Sequence, residues 1–144
     1  MGWNRKVRLP ATILLVDPDL GFVFWLGQAL ESAGYTALPA SNARAAIKLV
    51  REHKLSVDIL VIDPSLPDVL ALISALRKSR RTLKVVASIP EDSKELPDMT
   101  EVDAFVRKPH RFTKVAMIPW LNAILNLPTG ARPGLQKSKL RQPQ

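Results

Sequence analysis

The sequence predicts an α/β fold in which helices cover both faces of a parallel β-sheet. The clearest observation is the run Ile59 to Ile62, which is apolar on both alternating faces and ends at Asp63-Pro64. A run of this kind is typical of a strand buried in the middle of a parallel sheet. The second observation is that similar runs alternate along the chain with segments of helical periodicity, as they do in βαβ units.

The first strand, the first helix and the second strand have recognisable boundaries. Ala11 to Val16 is another buried-strand run, and Asp19 is placed to cap a helix over Leu20 to Ser32. Gly34 ends this helix in the way that a left-handed C-cap residue does. Tyr35 to Pro39 follows as a short strand.

The next two helices are predicted from the spacing of their apolar residues. After Ser41 or Asn42, which are residue types that cap helices, apolar residues recur at i, i+3, i+4 and i+7 from Ala43. The same spacing recurs from Val69, after the central strand. Leu83 to Ile89 then contains the fourth strand.

The last part of the chain completes the sheet. Pro90 to Asp103 is polar and is interrupted by Pro97, so the fourth helix is expected to be short. Ala104 to Val106 is the fifth strand, and Val115 to Leu127 is a final helix that Pro119 must either kink or begin. Five parallel strands with right-handed crossovers favour a flavodoxin-like (βα)5 three-layer sandwich with strand order 2-1-3-4-5.

Composition and charge divide the chain into a domain and two ends. The 144 residues suit one domain, and without cysteine neither a disulfide framework nor a thiolate metal site is possible. Of the net charge of +8, residues 1–10 supply 3 and residues 128–144 supply 4, which leaves about +1 for residues 11–127. We expect a basic extension, a domain, and a disordered basic tail that binds nucleic acid weakly at most. The apolar run after Pro10 is too short for a signal peptide or a membrane span, so a cytoplasmic protein without membrane contacts is expected.

Polar residues follow three of the predicted strands at their carboxyl ends. These residues are Asp17, Asp63 and Lys108. In the order 2-1-3-4-5, strands one and three are neighbours and strand five lies close by, so the three side chains are expected in one crevice. Paired carboxylates suit Mg²⁺, which prefers oxygen ligands, and the backbone carbonyl of Ser65 is a further ligand at this spacing. The lysine supplies a charge for a phosphoryl group, towards which one carboxylate can act as a nucleophile.

Over residues 11–127 the sequence resembles the receiver domains of two-component response regulators, the CheY-like superfamily. The motifs are Ile-Leu-Leu-Val-Asp at 13–17, Leu-Glu-Ser-Ala-Gly-Tyr at 30–35, Asp-Ile-Leu-Val-Ile-Asp-Pro-Ser-Leu-Pro at 58–67 and Asp-Ala-Phe-Val-Arg-Lys-Pro at 103–109. The resemblance implies that Asp63 accepts a phosphoryl group and that Asp17 is the first of an acidic pair that holds Mg²⁺. It also implies that Lys108 pairs with the phosphate, that the Lys108–Pro109 bond is cis, and that Phe105 is the aromatic switch residue.

The sequence departs from this family at several functional positions. The second acid of the pair, normally a direct Mg²⁺ ligand, is replaced by Pro18, and Asp19 would have to reach back to take its place. Magnesium binding is therefore expected to be weak. In the most natural alignment with the family, the Ser/Thr switch position corresponds to Ile89. Ser88 takes that position only if the alignment is shifted by one residue.

Two functions remain after this comparison, and neither is that of an enzyme. The first is a receiver domain phosphorylated on Asp63 by a sensor histidine kinase or a phosphotransfer protein, with a downstream protein partner. The second is a pseudo-receiver that binds a protein partner without phosphorylation. Retention of Asp63 and Lys108 favours the first, whereas Pro18 and Ile89 favour the second. The sequence leaves open whether the chain forms a homodimer.

Overall fold

The structure, a computed structural model of the chain, describes residues 11–127. The elements in chain order are β1 (Thr12–Val16), α1 (Leu20–Ser32), β2 (Thr36–Ala40), α2 (Ala43–His53), β3 (Ile59–Ile62), α3 (Val69–Ser79), β4 (Lys84–Ile89), β5 (Ala104–Arg107) and α4 (Lys114–Leu125). The predicted basic extension at residues 1–10 and the basic tail at residues 128–144 lie outside the described residues. Within the described part, no helix is long and apolar enough to cross a membrane.

The five strands form one parallel sheet in the order β2-β1-β3-β4-β5, which confirms the predicted topology. β1 and β3 are adjacent, with Val16 opposite Ile62, and Ile62 is in turn opposite Ala87 of β4. The carboxyl ends of β1, β3 and β4 therefore lie at one edge of the sheet. Residues that follow these strands directly are brought side by side.

Each face of the sheet has its own hydrophobic core. Ile13 and Leu15 of β1 pack on the α1 and α4 side, whereas Leu14 and Val16 pack on the α2 and α3 side. Successive side chains of a strand point to opposite faces, so a strand with helices on both sides must be apolar at every position. This arrangement is the physical reason for the uninterrupted apolar runs in the sequence.

Helix boundaries are fixed by local hydrogen bonds at the predicted capping residues. The Asp19 side chain accepts a hydrogen bond from the backbone N–H of Phe22 at 3.1 Å, and the Asn42 side chain accepts one from Ala45 at 2.8 Å. Gly34 follows α1 with a φ of 100° and so serves as the predicted left-handed C-cap. Pro119 lies inside α4, which begins at Lys114, so Pro119 does not begin this helix as one alternative predicted.

The fourth helix of the predicted fold is absent rather than shortened. Residues 90–103, between β4 and β5, form turns and contain no helix, so residues 11–127 contain four helices instead of the predicted five. Only Met99 and Val102 of this segment pack against a core cluster, and Pro97 cannot donate a helical hydrogen bond. Its first residues are held instead by Arg107, whose guanidinium donates to the backbone carbonyl oxygens of Pro90, Glu91 and Ser93.

Candidate functional site at the carboxyl ends of the strands

Asp17 lies at the centre of the candidate site, directly after β1. Its side chain is buried, with 1% of the residue exposed. Oδ1 accepts a hydrogen bond from the backbone N–H of Asp19 at 2.9 Å, and Oδ2 accepts one from the hydroxyl of Ser88 at 3.3 Å. A buried carboxylate is costly unless its charge is paired, so the site requires a cation.

Lys108 supplies that cation from the end of β5. Its Nζ lies 3.2 Å from Oδ1 and 3.1 Å from Oδ2 of Asp17, so one ammonium contacts both carboxylate oxygens. The backbone N–H of Lys108 donates to the carbonyl of Ile89 at 2.7 Å, and this hydrogen bond fixes the position of the Lys108 backbone. Nζ also lies 5.0 Å from the centre of the Phe22 ring, within the range of a cation–π contact.

The bond between Lys108 and Pro109 differs from the expectation. The resemblance implied a cis peptide, but the described residues contain no cis peptide bond, so this bond is trans. The trans isomer is the more stable one for most X–Pro bonds, and Lys108 reaches Asp17 with the bond in this form.

Asp63 lies beside Asp17 at the end of β3. Its backbone N–H donates to the carbonyl of Val16 at 3.2 Å, which places the two acids on neighbouring strands. The half-buried side chain is oriented by Ser65, because Oδ1 accepts hydrogen bonds from the Ser65 backbone N–H at 2.9 Å and from its hydroxyl at 2.7 Å. Among the described ion pairs, Lys108 contacts Asp17 and not Asp63.

Of the three predicted switch residues, Ser88 is the one whose side chain forms a hydrogen bond with Asp17. Ser88 is buried and donates to Asp17, whereas Ile89 is a buried core residue that contributes only its backbone carbonyl, to Lys108. Phe105 is half-buried in β5, opposite Ala87 of β4. The hydroxyl group that reaches Asp17 therefore belongs to Ser88, which matches the family's switch position only if the alignment is shifted by one residue.

The predicted magnesium ligands do not form a metal site in this arrangement. Pro18 has no side-chain oxygen, and Oδ1 of Asp19 accepts the capping hydrogen bond from Phe22. Both oxygens of Asp17 already contact the Lys108 ammonium. In residues 11–127, no three His, Cys, Asp or Glu side chains are grouped so that they could hold a metal ion. Mg²⁺ binds through one or two carboxylates and keeps several waters, so in this arrangement it would bind Asp17 only by displacing Lys108.

An aromatic cluster lies beside the site. Phe22 packs against Trp25, Phe112 and Trp120 with ring centres 6.1, 6.3 and 5.2 Å apart. Phe22 is buried in the core, and the half-buried Trp25 packs against the same core cluster. The contribution of Phe112 was missed, because this residue lies in the loop before α4 and belongs to no periodic pattern.

Comparisons with known proteins agree on the fold. No family model matches the sequence, and no curated protein matches it significantly. Solved structures do match: CheY4 of Vibrio cholerae at pH 4.0 is 19% identical, with a TM-score of 0.64 over 82% of this chain and 98% of that one. The Thermotoga maritima response regulator TrrA, solved in complex with Mg²⁺-BeF, is 22% identical, with a TM-score of 0.57 over 80% of this chain and 99% of that one.

A third structure contains the same regulator, TrrA, in complex with the histidine kinase ThkA. The matched chain is 20% identical to this one, with a TM-score of 0.58 over 81% of this chain and 99% of the other. The matched structures described above are receiver domains or response regulators, and the chain spans nearly their whole length. The domain therefore has the fold of response-regulator receiver domains, in a divergent form with the fourth helix missing.

Proposed function

We propose that this chain is a receiver-type signalling module that binds a protein partner without requiring Mg²⁺ or phosphorylation. The observation that carries the proposal is the state of Asp17, whose two carboxylate oxygens accept bonds from Lys108, Ser88 and the backbone of Asp19. The Asp17 carboxylate thus has its charge paired and its oxygens hydrogen-bonded without a bound metal ion or phosphoryl group.

Charge supports this proposal. A divalent cation entering the crevice would be repelled by the Lys108 ammonium and would have to displace it from Asp17. With Pro18 in place of a second acid, Asp63 is left as the neighbouring carboxylate, and its Oδ1 already accepts two hydrogen bonds from Ser65. Lys108 then plays the part of a built-in counter-ion, which fixes the strand ends in one arrangement.

A second candidate function is phosphoryl transfer to Asp63, and the orientation of this side chain favours it. Asp63 is half-buried, sits next to Asp17 and is held by two hydrogen bonds from Ser65. A bond would form between a carboxylate oxygen and phosphorus while the bond from phosphorus to a donor histidine nitrogen breaks, and the released imidazole would take up a proton. A histidine kinase or a phosphotransfer protein would be the donor, as the complex of TrrA with ThkA suggests.

One experiment separates the two candidates. The full chain is incubated with Mg²⁺ and acetyl phosphate and its intact mass is measured, while a parallel Mg²⁺ titration follows tryptophan fluorescence. Trp25 and Trp120 pack on Phe22, over which Lys108 lies, so displacement of Lys108 by a metal ion would change the emission. We expect neither a phosphoryl adduct nor a fluorescence change for the unmodified protein.

The variant Pro18→Asp, which restores the second acid, provides the positive counterpart. We expect this variant to gain a fluorescence response to Mg²⁺ and a phosphoryl adduct. The adduct should be lost in the double variant Pro18→Asp/Asp63→Asn. Pro18→Ala, which also removes the proline, should gain neither the response nor the adduct. An adduct on the unmodified chain that Asp63→Asn abolishes would overturn the first proposal and establish the second. Pro18 is exposed, so these substitutions leave the core unchanged.

A further inference from the structure

The outer surfaces of α1 and α4 are unusual in carrying almost no charge. Glu31 is the only charged residue in the 13 residues of α1, and Lys114 is the only one in the 12 residues of α4. By contrast, α2 exposes charged side chains along its whole length, namely Arg44, Lys48, Arg51 and Glu52. A helix that is apolar on all sides is normally buried on all sides.

Exposed apolar side chains are concentrated on these same two helices. Six of the eight large apolar residues exposed in residues 11–127 lie on α1, on α4 or just before α4. These six, which we call the α1–α4 face, are Leu20, Phe24, Phe112, Val115, Ile118 and Leu125. Two of them are largely in solvent, with exposed fractions of 63% for Phe24 and 75% for Val115.

A groove with a volume of about 560 Å³ runs between the two helices within this face. It is lined from α1 by Trp25 and Ala29 and from α4 by Met117 and Leu121, among others. Its lining is mostly apolar, with Gln28, Ser32, Thr113 and Lys114 as the polar members. Exposed apolar surface rimmed by polar residues usually marks a binding surface.

The two charged residues stand at opposite ends of their own helices. Trp25, in the first half of α1, contacts Phe112 and Thr113 just before α4, and Ala33 after α1 lines the groove together with Leu121. The two helices therefore run in the same direction. Glu31 is near the end of α1, whereas Lys114 is the first residue of α4.

Neither charge is placed to stabilise its own helix. The helix dipole favours basic residues near the C-terminus and acidic residues near the N-terminus. Glu31 lies in the last turn of α1 and Lys114 in the first turn of α4, which is the unfavourable end in each case. The positions of both charges therefore call for an explanation outside the helices themselves.

We propose that the α1–α4 face binds a second copy of this chain in a twofold dimer. In such a dimer the same patch is used twice, and contacts between residues i and j occur in duplicate. With α1 of one copy antiparallel to α4 of the other, Glu31 meets Lys114 of the second copy, twice per dimer. Leu20 at the start of α1 then faces Leu125 at the end of the second α4, and the groove is closed from solvent.

The size of the face predicts a reversible dimer. Two helices of this length, each about 10 Å wide and about 20 Å long, give a flat area of about 400 Å² per copy. Counted over both copies this is about 800 Å², which is below the range of stable interfaces and within that of weak, transient ones. The dimer should therefore dissociate on dilution, and its formation does not depend on any chemistry at Asp63.

Sedimentation velocity of the full chain over a range of concentrations tests the proposal. We expect a concentration-dependent dimer in which Glu31→Lys and Lys114→Glu each weaken the dimerisation constant about ten-fold, because each substitution turns two attractive pairs into two repulsive ones. The double variant, which restores both pairs with their charges exchanged, should recover association to within about three-fold. Both side chains are exposed, so the fold should be unaffected, and circular dichroism checks this.

Apolar variants provide a second, independent readout. Ile118→Asp should abolish the dimer, whereas Leu70→Asp should leave it intact, since these residues are comparably exposed, at 53% and 57%, but Leu70 lies on α3. A chain that is monomeric at all concentrations would overturn the proposal, as would a dimer indifferent to both Ile118→Asp and the charge reversals. Dimerisation only after removal of residues 1–10 or 128–144 would show that one of these segments covers the face, and would also overturn it.

Discussion

Lys108→Met is the sharpest test of the structural role assigned to the ion pair at the strand ends. Methionine retains most of the aliphatic stem that packs towards Phe22 but removes the ammonium from Asp17. Asp17 would remain buried with only two hydrogen bonds, from the backbone of Asp19 at 2.9 Å and the hydroxyl of Ser88 at 3.3 Å. A buried charge left without its partner typically destabilises a protein by about 3–5 kcal/mol.

The structure places the expected effect at the lower end of this range. The Lys108 side chain is 21% exposed, so some water can reach the site once the ammonium is gone. We expect the free energy of unfolding to fall by about 3 kcal/mol, which lowers the midpoint of urea unfolding by about 1–3 M. Urea titrations followed by circular dichroism measure this directly, and an unchanged slope would show that the unfolded state is not altered.

Two further variants make the result specific to the ion pair. Lys48→Met removes a lysine whose side chain is 75% exposed and lies 3.8 Å from Glu52, and it should change stability by less than about 0.5 kcal/mol. Asp17→Asn/Lys108→Met removes both charges and should recover most of the loss, since a neutral pair avoids the buried unpaired carboxylate. A loss of less than about 1 kcal/mol for Lys108→Met would refute the view that this pair holds the site together.

Two smaller predictions concern the ends of α1. Asp19→Ala should lower the free energy of unfolding by about 1 kcal/mol, because it removes the hydrogen bond to the backbone of Phe22, and it should leave any Mg²⁺ response unchanged if Asp19 serves only as a cap. Gly34→Ala should cost about 1 kcal/mol, because Gly34 has a φ of 100° that alanine adopts poorly. Thermal unfolding measures both; a stable Gly34→Ala protein would mean that this turn can relax.

Much of the fold could be predicted because it depends on short-range patterns. The apolar run of β3 and the capping residues Asp19 and Asn42 are local signals, and the strand order follows from few allowed crossovers. We predicted a short fourth helix where the structure has only turns, because a polar segment with one proline is compatible with both. Only the three-dimensional structure, in which Met99 and Val102 pack on the core from turns, distinguishes the two.

The site was harder to predict because it depends on strand faces and side-chain directions. A shift of one residue along a strand moves every side chain to the other face, so the sequence could not decide between Ser88 and Ile89. The sequence also could not decide which acid Lys108 contacts, because its long side chain can reach either one. The sequence brought Asp17, Asp63 and Lys108 to one edge of the sheet, but the choice of Asp17 as the partner is set by three-dimensional packing.

The segment at residues 90–103 affects how local stability is distributed in this domain. A helix satisfies its own backbone groups, whereas these turns are held at their start mainly by side chains, those of Arg107, His110 and Ser93. Amide protons of the segment should therefore exchange with solvent by local opening that leaves β4 and β5 paired. A region that opens without disturbing the sheet can change its shape or its sequence at little cost to the rest of the domain. The segment between β4 and β5 can thus change more freely than a packed helix in its place could.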